Sequence, residues 1–392
     1  MRPAAVLQAD RTASFPDSMK LRIPVSLLLM AALAAALFVV APSGSSALAL
    51  PRAPKGFFGI GPQTALTPGD ARFMKAGGIE SIRVPVSWGA IQPKEKGAYE
   101  WSGLDATVLI ASQAGLRVLP FFYSTPRWLS SDWRRLPVDN ARQRSAWKAF
   151  LQAAVKRYGP GGEFWNEHSP TSQYLPKIKE PVPIREWQIW NEVNFHYFAY
   201  PVSVTRYAKL VKLSGPAIKA VDPSAKVILS GLFGEPKATG VRGMSAVDFL
   251  SAFYRAPGVK NAFDGIALHP YAVDTESLEE MVEEIHEVTL ENHDRPALYI
   301  TEMGWGSQND FEQVAYEQGI WGQVQELRDS YSFLLENARR LNLKAAYWFS
   351  WKDLPDSCTF CDSVGFFHAG PKFHAKPAWR AFVAITGGRS SP

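Results

Sequence analysis

Only two of the 392 residues are cysteine, Cys358 and Cys361, so no disulfide framework can hold this chain together. Charge is sparse as well: 20% of residues are Asp, Glu, Lys or Arg against 46% hydrophobic, which excludes an intrinsically disordered chain. The 42 basic and 37 acidic residues leave a net charge of +5, yet no Lys/Arg block stands out and nothing points to nucleic acid. Glycine and proline, 29 each, are scattered rather than periodic, which excludes a collagen-like fibre and suits a globular protein with many turns. There is no internal repeat, and beyond residue 50 there is neither a Pro/Ser linker nor a run apolar enough to cross a membrane. What is abundant is tryptophan: 13 residues, as many as tyrosine. Core packing is one use for so many indoles; flat platforms for sugar rings are the other.

Residues 23–40 form an uncharged apolar run behind Lys20 and Arg22, and Ala47-Leu48-Ala49 matches the small-x-small pattern of signal-peptide cleavage. The expectation is a signal segment over residues 1–49, a mature start near Leu50 and a secreted or cell-surface protein. The run exceeds the usual apolar region of about 7–15 residues and approaches the ~17 that span a bilayer, so an uncleaved anchor is the alternative. Met19, just ahead of the basic pair, is a second candidate start.

From residue 50 to 392 the chain reads as one domain. Eight short β-rich runs recur, at 56–60, 81–86, 117–123, 186–191, 226–231, 263–269, 297–302 and 344–351. Most are near-continuously apolar, as parallel strands buried on both faces are. Helical periodicity lies between them, over 141–158, 204–221, 277–288 and a long stretch from 310 to 341. Eight strands alternating with helices predict a (β/α)8 barrel. A doubly wound sheet is disfavoured because no Gly-rich phosphate loop follows the first strand.

In such a barrel the reacting groups sit at the C-terminal ends of the strands. Those ends hold Arg83 on the second, Asn191-Glu192 on the fourth, His269-Pro270-Tyr271 on the sixth, Glu302 on the seventh, and Trp348 and Trp351 on the eighth. Two carboxylates facing each other across one mouth are what glycoside cleavage needs, one to protonate the leaving oxygen and one to attack or to activate water. A lone Glu there would be a solvated loop carboxylate; two at strand ends, flanked by Trp190 and Trp305, make a candidate pair. A second Trp-Asn-Glu triplet at Trp165–Glu167 follows a Gly/Pro-rich turn with no β-run before it, and is read as structural. Asp222, Asp248 and Asp264 fall on helical stretches or at a strand start, away from the mouth. Arg127, Arg134 and Arg135 suit either an anionic glycan or a solvated loop.

The chain resembles the retaining glycoside hydrolases of clan A, most of all family 39 and related bacterial barrels. The resemblance is carried by IRVPVSWGAIQP at 82–93, the 99–129 stretch, WQIWNEVN at 187–194, IALHPYA at 266–272, LYITEMGW at 298–305 and AYWFSWKD at 346–353, and spans most of residues 56–385. It implies that Glu192 is the acid/base and Glu302 the nucleophile. It further implies that Asn191 holds the sugar 2-hydroxyl, that Arg83 and Tyr271 hydrogen-bond Glu302 and keep it ionised, that His269 contacts the sugar or the nucleophile, and that Trp348 floors the sugar site. Neither metal nor organic cofactor is required; the partner is a carbohydrate, and a monomer is expected. A catalytically silent carbohydrate-binding barrel is the rival reading, but it need not keep both Glu residues.

Cys358 and Cys361 flank two residues in a segment outside the family pattern. Outside the cytoplasm a disulfide closing a tiny loop is the first reading, and a metal site with His368 and His374 the second, although the spacing matches no standard zinc pattern.

Overall fold

The computed structural model describes residues 51–392 apart from 174, 311–314 and 359. The apolar run at 23–40 and the Ala47-Leu48-Ala49 cleavage pattern lie outside the described residues. Eight parallel strands close into a barrel in chain order: β1 Phe58–Gly61, β2 Ser81–Ser87, β3 Arg117–Tyr123, β4 Glu186–Ile189, β5 Lys226–Phe233, β6 Gly265–His269, β7 Ala297–Met303 and β8 Leu343–Phe349. Pairing of β1 with β8 shuts the sheet, with Gly59 opposite Tyr347 and Ile60 opposite Trp348. Each expected apolar run becomes a strand, because both of its faces are covered: one by the barrel interior, the other by helices such as Ala141–Tyr158, Val204–Lys219 and Thr275–Glu291.

Helix ends follow local capping chemistry. Thr67 opens Pro68–Ala76 with a reciprocal capping box to Asp70. Asp70 also accepts from Trp351 Nε1 at 2.8 Å and pairs with Lys352 at 3.0 Å, which ties the segment after β8 to the first helix. The long periodic stretch from 310 to 341 is shorter than expected: its helix runs Gly319–Asn337. Glu317 is held in a bridge to Gly306, and Gly319 has a left-handed φ of 69°, so the chain turns there before it coils. Among the described residues no helix is long and apolar enough to cross a membrane.

Tryptophan serves mainly as core. Trp88, Trp147, Trp187, Trp190, Trp305, Trp348, Trp351 and Trp379 are fully buried, most of them between strands and helices. The barrel axis holds a smaller cluster of Leu119, Ile228, Ala267, Tyr299, Ala345 and Tyr347. Its two phenols are satisfied: Tyr347 bonds Ser81 Oγ at 2.9 Å and Tyr299 donates to Glu186 at 2.8 Å. A Cβ at position 59 would lie 2.3 Å from the Tyr347 ring, so glycine there makes the room. In β5, β6 and β7 each of these inner residues precedes, by two or three positions, an inward residue of the candidate site: Ile228 before Gly231, Ala267 before His269, Tyr299 before Thr301.

Candidate active site

Strand alternation alone would point Gln188 and Trp190 inward and Asn191 outward. The backbone departs from alternation at that point: Trp190 has φ 72° and Glu192 φ 37°, both left-handed and both non-glycine. Trp190 is thereby rolled outward against Trp147, with its Nε1 donating to Phe198 O at 2.8 Å. Asn191 and Glu192 then both face the axis. On β7 a register shift between Ile300 and Met303 does the same for Thr301 and Glu302. Strain of this kind, held in place by packing, marks sites where geometry matters more than backbone ease.

Arg83, only 1% exposed, organises the floor of the mouth. Its Nε donates to Gln188 at 2.7 Å, Nη1 to Glu302 Oε1 at 2.5 Å and Nη2 to Asn191 Oδ1 at 2.6 Å, while its plane lies 4.0 Å from the Phe121 ring centroid. A planar guanidinium with fixed donors can reach three acceptors in this way; an ammonium cannot. Tyr271 donates to the other oxygen of Glu302 at 2.8 Å. His269 links the opposite carboxylate to the same frame, with Nδ1 2.8 Å from Glu192 Oε1 and Nε2 3.0 Å from Thr301 Oγ1.

The two carboxylates therefore sit in different environments. An oxygen of each, together with a ring nitrogen of His269, lies within 4.8 Å of the others. Burial and the neighbouring charge of Glu302 push the Glu192 carboxyl well above the usual carboxylate range, with Arg83 opposing. Burial, reinforced by Arg83, drives the His269 imidazole well below its usual value, so it is neutral. Burial and the Glu302 charge hold the Tyr271 phenol well up, so it stays a donor. Of the two carboxyls, Glu192 is thus the one whose protonated form the surroundings favour.

The structure brings together Arg83, Asn191, Glu192, His269, Tyr271 and Glu302. It does not bring Trp348 to them. Alternation on β8 turns Tyr347 and Phe349 inward and Trp348 outward, where it stacks on Phe366 at 5.3 Å and donates to Val364 O. Trp348 is fully buried, so the expectation of a sugar floor is corrected: it is packing. Trp305 and Trp190 likewise face away from the carboxylates they flank in sequence. Glu167 ends a short helix, Glu163–Glu167, and is paired with Arg157 at 2.9 Å, while Trp165 is buried beside it. Arg134 and Arg135 are paired with Asp132 and Asp139.

Two further site residues lie inside WQIWNEVN and LYITEMGW without a role read from the sequence. Gln188 and Thr301 are the polar residues that join Arg83 to His269, and an inward polar residue in an apolar strand is the signal that marks them. Tyr271 is walled by Phe233, Tyr316, Phe349 and Phe360 at 5.2–6.2 Å between ring centroids. Cys358 and Cys361 form a disulfide next to Phe360.

Glu192, His269 and Glu302 also have the spacing of a metal-ligand trio. Arg83 already supplies the positive charge to Glu302, and both ring nitrogens of His269 are engaged, so a cation would have to displace bonds that are already made.

No family model matches the sequence, and no curated protein shows significant similarity to it. Solved structures do match in fold. A family 39 glycoside hydrolase from Bacteroides cellulosilyticus WH2 superposes with a TM-score of 0.59 at 19% identity, over 85% of this chain and 64% of that one. A monomeric β-xylosidase from Caulobacter crescentus CB15 gives 0.58 at 18% identity, over 86% and 70%. The intracellular xylanase TsXylA from Thermoanaerobacterium saccharolyticum gives 0.53 at 14% identity, over 85% and 98%. This chain therefore spans less than two thirds of the length of the Bacteroides enzyme.

Proposed function

We propose that this protein is a retaining glycoside hydrolase that cleaves O-glycosidic bonds of an oligo- or polysaccharide by double displacement. The observation that carries the reading is the carboxylate pair: Glu192 and Glu302 present oxygens within 4.8 Å of each other in environments that set them to opposite tasks. Retaining enzymes keep their carboxyl groups about 5–5.5 Å apart, whereas inverting ones leave about 6.5–9.5 Å for a water. The barrel shared with solved glycosidases supports the same reading.

Glu302, fixed from two sides by Arg83 and Tyr271, attacks the anomeric carbon. Glu192 gives its proton to the leaving oxygen as that bond breaks; the bond from His269 occupies Oε1 and leaves Oε2 for the transfer. Once Glu302 is bonded to the sugar its negative charge is gone, and the electrostatic part of what holds the proton on Glu192 goes with it, while Arg83 still favours the ionised form. Glu192 then acts as base toward water, and the product leaves with retained configuration. Asn191 Oδ1 is taken by Arg83, which turns its side-chain nitrogen toward the sugar 2-hydroxyl. The setting is oxidising and extracytoplasmic in this reading, which the disulfide and the apolar run at 23–40 support, and the monomeric state is supported by the monomeric β-xylosidase of similar fold.

The test is a panel of aryl glycosides and polysaccharides with product configuration read by proton NMR at early times. Retained product that disappears in Glu302→Ala supports the proposal. Inverted product, or turnover untouched by that substitution, overturns it.

A further inference from the structure

The disulfide loop sits where it can act on the candidate nucleophile. Phe360, between the two cysteines and 7% exposed, places its ring 5.2 Å from Tyr271 and 5.2 Å from Tyr316, edge to face in both cases. Tyr271 in turn holds Glu302 Oε2 at 2.8 Å. The chain just beyond the loop is anchored independently: buried Lys376 donates to Ser363 O at 2.5 Å, to Asp353 Oδ1 at 2.5 Å and to Ser307 Oγ at 3.0 Å. The tip joins that anchored chain at one described point, the Phe360 carbonyl, which accepts from Ser363 N and Ser363 Oγ, both at 3.2 Å. Its other described backbone bonds, Ser357 to Leu354, Leu354 to Cys361 and Cys361 to Cys358, close on the tip itself. A crosslink between residues three apart does little for global stability, because its gain grows with the length of the loop it closes. What such a bond fixes is local: the course of the tip and the place of Phe360.

We propose that the Cys358–Cys361 disulfide makes Phe360 a positioning residue, which presses Tyr271 onto Glu302 so that the nucleophile is oriented only when the loop is oxidised. The proposal rests on the glycosidase reading for its effect on turnover, but not for its effect on Tyr271. An added dithiol reduces the bond to two thiols and is itself oxidised to its cyclic disulfide; the tip loosens, Phe360 leaves the aromatic wall and water reaches the Tyr271 hydroxyl. Exclusion of water is what burial of Tyr271, faced by Glu302, Glu192, Arg83 and His269 and backed by Tyr316, now provides.

The experiment labels tyrosine rings with carbon-13 in the full chain, with the Tyr271 signal assigned by its loss in Tyr271→Phe. In oxidised protein this signal resists broadening by a soluble nitroxide; in dithiol-treated protein and in Phe360→Ala it broadens, and in Phe360→Trp protection returns. On an aryl glycoside, reduction or Phe360→Ala lowers kcat about tenfold, the scale of one hydrogen bond to a charged group, with KM little changed. In a Tyr271→Phe background neither treatment lowers kcat further, because there is no hydroxyl left to place. A Tyr271 signal indifferent to reduction and to Phe360→Ala overturns the proposal, as do losses that multiply in the double variant. A signal that responds in a protein that turns over no glycoside supports the positioning role and overturns the glycosidase reading instead.

Discussion

The imidazole of His269 fills the space that any side chain on Gly231 would need: a Cβ there would lie 1.9 Å from Nε2. β5 and β6 run side by side at this point, and the ring is fully buried, so it has nowhere to retreat. Gly231→Ala should therefore displace His269 from Glu192. Overpacking of this kind costs about 1–3 kcal/mol, measurable as a lower urea midpoint. Turnover should fall about tenfold or more as Glu192 loses its partner. Wild-type midpoint and turnover would show that the ring has another place to go.

Replacing Glu192 by Ala should separate the two chemical steps. An aryl glycoside with an acidic phenol needs little protonation, so its first step survives and the glycosyl-enzyme accumulates as a burst followed by slow turnover. Azide, which needs no base, should restore turnover and yield a glycosyl azide of retained configuration. Glu302→Ala should lose about 10³-fold or more with every leaving group. Glu167→Ala, paired only with Arg157 on the surface, should behave as wild type.

Arg83 should not tolerate lysine. Arg83→Lys keeps the charge but forfeits the fork that spans Gln188, Glu302 and Asn191, so kcat should drop at least tenfold while the fold persists. Arg83→Met leaves a buried carboxylate unpaired and should destabilise by about 3–5 kcal/mol in chemical denaturation.

The pH profile follows from two opposed burials. Glu192 has a folded-state pKa raised above the ordinary 4.5, so its contribution to stability is complete in acid and fades as pH rises through the raised value. That contribution is lost between the ordinary and the raised value, so stability should decline first and activity should follow as pH passes the raised value and the proton donor is lost. Glu192→Gln should abolish that part of the stability loss. His269, lowered from 6.5, works the other way: its contribution is present above 6.5 and is lost as pH falls through its depressed folded value. A stability profile in Glu192→Gln that still tracks wild type above pH 5 would rule out this assignment.

The barrel was legible because strands covered on both faces leave near-continuous apolar runs, and all eight observed strands overlap the expected ones. That Glu192 and Glu302 would meet at one mouth was legible for a related reason: a carboxylate closing such a run has no apolar role. Trp348 was misplaced because its side depends on register. Once Tyr347 is fixed inward by Ser81, the next residue must point out, and sequence alone does not reveal which of two aromatic neighbours takes the axis. The inward turn of Asn191 rests on a backbone angle at Trp190 that no residue type announces. Phe360 reaches Tyr271 through a returning loop, and such contacts leave no periodic trace.

The left-handed backbone at Glu192 has a consequence for how this barrel would change if nothing demanded turnover. That residue holds a φ of 37°, where side chains are rarely comfortable, and it buries a carboxyl whose charge its surroundings resist. A glycine there would relax the backbone and remove the ionisable group in a single step. Inactivity is thus downhill at the very position proposed as the acid/base. Lineages released from their substrate should drift toward sturdier, silent barrels, and only continued use of the site keeps the less stable residue in place.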